Sequence, residues 1–69
     1  MENNDIVYYC GDNPSKHGEL YTIIEYNSKY KCVTTKLWKP CVIYKNNNDG
    51  EIYVRDFIDF NNNFKKIEK

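Results

Sequence analysis

The run Trp38-Lys-Pro-Cys-Val-Ile-Tyr-Lys-Asn-Asn-Asn-Asp-Gly-Glu-Ile-Tyr-Val-Arg55 constrains the fold more than any other part of the chain. Asp49-Gly50 separates two stretches rich in β-branched and aromatic residues, and glycine tolerates the positive φ that a hairpin turn requires. In the first stretch Cys41, Ile43 and Lys45 point one way and Val42 and Tyr44 the other. In the second, Ile52 and Val54 share a face opposite Tyr53 and Arg55. The three asparagines before Asp49 lengthen the loop beyond two residues. Pro40 sits near the start of its run, where a missing donor does least harm.

The rest of the chain also reads as short strands. Residues 1–4 are expected to be a polar, loose terminus. Ile6–Tyr9 is a strand candidate, and the turn formers of Gly11–Gly18 predict a loop. Glu19–Tyr26 alternates imperfectly, the Ile23-Ile24 pair predicting a bulge or burial on both faces. Asn27-Ser28 reads as a turn and Tyr30–Lys36 as a third strand. After the hairpin, Phe57, Phe60, Phe64 and Ile67 form a helical stripe, with Asp56 as N-cap and Lys65, Lys66 and Lys69 towards the C-terminal end of the dipole. Because Asn61-Asn-Asn63 is a weak helix interior, the alternative is a turn at Phe57–Phe60 followed by a strand over Phe64–Ile67. Such short strands limit exposed edges by wrapping. The expected fold is therefore mainly β: a small SH3-like barrel or a strongly bent antiparallel sheet with a short C-terminal helix or helical turn, as one domain over 1–69.

Ten basic and ten acidic residues balance, which argues against a strongly electrostatic nucleic-acid binder. The charge is uneven, however: Lys29, Lys31, Lys36, Lys39 and Lys45 fill the middle and the acids lie towards the ends. Cys10, Cys32 and Cys41 are odd in number and irregularly spaced, a poor disulfide framework. No run approaches transmembrane length and no apolar leader opens the chain, so a reducing cytoplasm and no membrane partner are expected. Abundant Asn, Lys, Tyr and Ile, with no Ala and a single Arg, suggest AT-rich coding, as in a low-GC bacterium or its phage.

The pattern Val42-Ile-Tyr44, Gly50-Glu-Ile-Tyr-Val-Arg55 and Phe60, with His17-Gly18 ahead of a strand, resembles a family of short bacterial and phage domains of unknown function. The resemblance spans His17 to Phe60 and implies an SH3-like small barrel without implying an activity. The chain departs from the family at Asp56, where a proline is usual, and at Thr34–Pro40, where an acidic segment is usual.

The candidate ligand-binding residues are Trp38, Arg55, Lys36, Lys39, Lys45 and Tyr30. An exposed aromatic beside lysines can stack a base while the ammonium groups meet phosphate. The single arginine can clamp a carboxylate or phosphate, or else form a structural ion pair with Glu25, Asp56 or Asp59. Against this stands the use of aromatics as core. Cys10, His17, Cys32 and Cys41 lack the close cysteine pair of a zinc site, and nothing orients a Cys10–His17 nucleophile–base pair. No catalytic, metal or cofactor site is expected in so short a chain. The expected function is non-enzymatic binding by a phage- or prophage-encoded protein that counters host defence, sequestering a nucleotide signal or blocking a host protein, with homo-oligomer formation in view. An SH3-like adaptor and a nucleic-acid-binding module are the alternatives.

Overall fold

The computed structural model describes residues 1–67. These form β1 (Ile6–Tyr9), β2 (Leu20–Lys31), β3 (Trp38–Asn46), β4 (Ile52–Asp56), α1 (Phe57–Asn63) and β5 (Phe64–Lys66), with a 3-10 turn at Pro14–Lys16. The five strands make one antiparallel sheet in the order β4-β3-β2-β1-β5. The chain crosses from one edge to the other through α1. Of the two forms expected, the open bent sheet with a short C-terminal helix is the one adopted.

The bend follows from where side chains meet. Phe64 on β5 and Tyr44 on β3 are three strand spacings apart, about 14 Å in a flat sheet. Their ring centroids are 5.1 Å apart. Arg55, on the opposite edge strand, holds its guanidinium 5.4 Å from the centre of the Phe64 ring. The sheet therefore curls until its two edges touch through side chains. Register shifts in β2 between Ile23 and Glu25 and between Glu25 and Ser28 supply bending points. Inside the curl lie Val7, Tyr9, Tyr21, Ile23, Val42, Tyr44, Phe60 and Phe64, all buried. Phe60 and Phe64 stack at 4.4 Å.

The central hairpin forms as expected. Val42 and Tyr44 face the core, Gly50 has φ +77°, and the Gly50 N–H donates to the Asn46 carbonyl at 2.9 Å. The Asn46 side chain, buried, accepts from the Asn48 and Asp49 N–H groups and ties the loop shut. Asp56 caps α1, accepting from the Ile58 N–H at 3.0 Å. The helical stripe splits at Phe64, which opens a strand as in the alternative reading, but the helix runs on through the asparagines to Asn63 and the strand ends at Lys66. Lys69 lies outside the described residues.

Two boundaries differ from expectation. Asn27-Ser28 is not a turn but the middle of β2, where bulging absorbs residues too polar for a regular ladder. Tyr30–Lys36 is not a strand: Tyr30 and Lys31 finish β2, and 32–37 is the turn into β3. The Cys32 N–H donates to the Leu37 carbonyl and the Lys36 N–H to the Cys32 carbonyl. Lys36 takes a left-handed φ of 59° to close the loop. The N-terminal segment is tied to β2: the Asn4 N–H donates to the Ile23 carbonyl and the Asn3 side chain accepts from the Tyr26 N–H.

Candidate functional site

β2 and β3 outrun their neighbours. β1 pairs with β2 only over Leu20–Thr22, and β4 reaches β3 only as far as Cys41. Beyond those points Lys29↔Pro40, Tyr30↔Lys39 and Lys31↔Trp38 continue as a two-stranded arm. From Ser28 to Cys41 the arm carries four lysines and no acidic residue. Since the whole chain is neutral, the remainder carries the compensating negative charge.

Cross-strand partners share a face, so Lys29, Lys31, Trp38 and Pro40 lie on one side of the arm, with Tyr30 and Lys39 on the other. Trp38 is 65 % exposed. At the tip Val33 is 87 % and Leu37 63 % exposed, with Lys36 between them in sequence. Tyr30 is held at the base, its hydroxyl donating to Asp56 at 3.4 Å. Burial and then the Asp56 carboxylate raise the Tyr30 pKa, so the hydroxyl stays protonated.

The structure thus brings Trp38, Lys36, Lys39 and Tyr30 onto one arm and leaves the other two candidates elsewhere. Lys45 pairs with Thr22 and Ile52 on the outer face of the sheet. Arg55 lies on the inner face of β4, donating from Nε to the Tyr44 hydroxyl at 3.2 Å and from Nη1 to Asp59 at 2.9 Å. Of the structural partners considered for it, Asp59 is the one engaged.

Arg55 borders a hollow of about 170 Å³. Tyr9, Tyr21, Tyr44, Tyr53 and Phe64 give the aromatic part of its lining, and Asn13, Lys16 and Arg55 the polar part. Loop 11–18 borders it on one side through a chain of bonds. The Asn13 N–H donates to the Tyr9 hydroxyl, and the Asn13 side chain accepts from Ser15. His17 is spent in the same loop, its Nε2 meeting the Gly11 carbonyl and its ring lying 5.9 Å from that of Tyr9. It pairs with backbone rather than with Cys10. All three cysteines are free, and among the described residues no three His, Cys, Asp or Glu side chains gather as a metal cluster.

Cys32 differs from the other thiols. Hydrogen bonds from the Thr35 hydroxyl and from the backbone of Thr35 and Thr34, aided by Lys39, lower its pKa to about 7. The polarised thiol lies in the turn at the end of the arm. Sequence reasoning missed both this turn and the tyrosine hollow. Neither has a local signature, because one depends on a left-handed lysine and the other on the curl of the sheet. No helix of the described residues is long and apolar enough to cross a membrane. No protein-family model, curated protein or solved structure matches the chain.

Proposed function

We propose that the protein is a non-enzymatic binding domain whose lysine-rich hairpin arm engages single-stranded nucleic acid. One observation carries the reading: residues 28–41 project beyond the sheet with four lysines, no acid and an exposed tryptophan. An open arm of this kind makes several weak contacts along a strand, with Trp38 stacking on a base and Lys29 and Lys31 on the same face, with Lys36 in the turn, meeting successive phosphates. A free nucleotide would meet only part of that surface.

Trp38 is the sole tryptophan and reports directly. Titration with an unstructured oligopyrimidine is expected to quench its fluorescence. Up to three phosphate contacts give a log–log salt slope of about −2. Trp38→Ala, followed by anisotropy of a labelled oligonucleotide, weakens binding about tenfold, the stacking of one base. Salt-independent binding, or equal affinity for a mononucleotide, overturns the strand reading, the latter in favour of nucleotide capture. The exposed Val33 and Leu37 at the tip favour one second reading, an anionic lipid surface. The same fluorophore separates the two, because insertion into phosphatidylserine vesicles shifts its emission to the blue where base stacking quenches it.

A further inference from the structure

We propose that the tyrosine-lined hollow is a second binding site, for a small planar aromatic acid of benzoate size. Its volume, about 170 Å³, is roughly half the lower end of pockets that take drug-sized ligands and close to the ~150 Å³ cavity that holds one benzene ring. The site therefore takes a single ring with a small substituent. Tyr21 already makes edge-on contacts with Tyr44 and Phe64 at 5.5 and 5.2 Å, and Tyr44 lies tilted against Phe64 at 5.1 Å, an arrangement that receives a further flat ring.

Hydrogen-bond bookkeeping decides the substituent. Three oxygens at the hollow already accept bonds: the Asn13 side-chain oxygen from Ser15, the Tyr9 hydroxyl from the Asn13 N–H, and the Tyr44 hydroxyl from Arg55 Nε. The cationic donors are less engaged. Arg55 uses Nε and Nη1, and its Nη2 has no partner among the described residues. Lys16 makes no ion pair there, and the Tyr53 hydroxyl and the Asn13 amide nitrogen donate to nothing there. Burial, then nearby acids, raises the Tyr53 pKa and keeps its hydroxyl a donor. The charged groups lining the hollow, Lys16 and Arg55, are both cations, and their unused N–H donors select a carboxylate over a neutral acceptor. Glu19 and Asp59 approach the same lining, engaged by the Tyr21 hydroxyl and by Arg55, and Asp49 and Glu51 lie near Tyr53. Selectivity therefore comes from donor geometry, not from long-range charge.

The site is independent of the arm, since Tyr44 is six residues from Trp38 along β3, about 20 Å. The test is NMR titration of ring-labelled tyrosine with benzoate, benzamide and acetate. Benzoate is expected to saturate with shifts at Tyr9, Tyr21, Tyr44 and Tyr53, benzamide to bind about tenfold more weakly, and acetate not to compete. Tyr53→Phe and Lys16→Gln, both at exposed positions, should each weaken benzoate about three- to tenfold while leaving the spectrum folded. Arg55→Gln should abolish binding. Equal affinity for benzoate and benzamide, shifts outside these tyrosines, or no shift by any ligand overturns the assignment. An oligonucleotide on the arm should leave the benzoate isotherm unchanged, so failure of one site does not carry the other.

Discussion

Cys32 has the ordinary side chain of a polar turn, yet its surroundings alter its chemistry. The Thr35 hydroxyl and the local backbone donors favour the thiolate. Its acid form therefore gives way near pH 7 instead of at 9.0. Alkylation by iodoacetamide, followed by peptide mapping, should be half-maximal at Cys32 near pH 7, while buried Cys41 stays unmodified. Thr35→Val should move that midpoint upward, towards the ordinary thiol value of 9.0. An unchanged midpoint would show that the threonine hydroxyl is not the main cause. Gly11 is a second residue whose role is invisible in sequence. A Cβ there would collide with the Asn63 side chain and the Tyr9 ring. Gly11→Ala should cost about 1–3 kcal/mol in urea denaturation, and a neutral result would mean that Asn63 and Tyr9 yield without loss.

At the scale of elements, the hairpin over β3 and β4 was readable because Asp49-Gly50 sits between two alternating runs, and each cue pointed to the same turn. The arm was not. Val33-Thr34-Thr35 has strong strand propensity, yet it forms the turn, with Lys36 rather than a glycine adopting positive φ. Asn27-Ser28 has turn composition yet lies inside a strand, because cross-strand pairing with β3 outweighs local preference. Of the candidate residues, exposed Trp38 could be foreseen from its place before Pro40 between lysines. The hollow could not, since its lining comes from loop 11–18, all five strands and no contiguous motif. The strained turn gives a prediction in which folding and binding move oppositely. A non-glycine residue in the left-handed region costs about 1–2 kcal/mol, offset by the extra unfolded-state freedom of glycine, about 0.5–1 kcal/mol. Lys36→Gly should therefore raise stability by up to about 1 kcal/mol. It should also flatten the oligonucleotide salt slope by about 0.7, one phosphate contact. Loss of both stability and binding would place Lys36 in the scaffold instead.

For the molecule as a whole, the decisive fact is that an open sheet behaves as a nearly closed one through a single side chain. Phe64 stacks on Phe60 at 4.4 Å, meets Tyr21 and Tyr44 from the far edge, and lies under the Arg55 guanidinium. No backbone ladder joins β4 to β5 among the described residues, so side-chain packing holds the curl that the β2 bulges and the α1 crossover permit, and with it the hollow. A domain this short has a margin of only about 3–5 kcal/mol. Truncating a buried phenylalanine costs about 3–5 kcal/mol. Phe64→Ala should accordingly abolish the cooperative transition seen by circular dichroism. Phe64→Leu, costing about 1–2 kcal/mol, should keep the fold and relax the contact with Arg55. The milder variant distinguishes two roles for the ring. If the aromatic face organises the site, benzoate binding is lost in Phe64→Leu although the protein remains folded. If the residue only fills volume, binding survives in proportion to stability. A Phe64→Ala protein that unfolds at the wild-type urea midpoint would show that the two edges are held together by something other than this ring, and the account of the curl would fall.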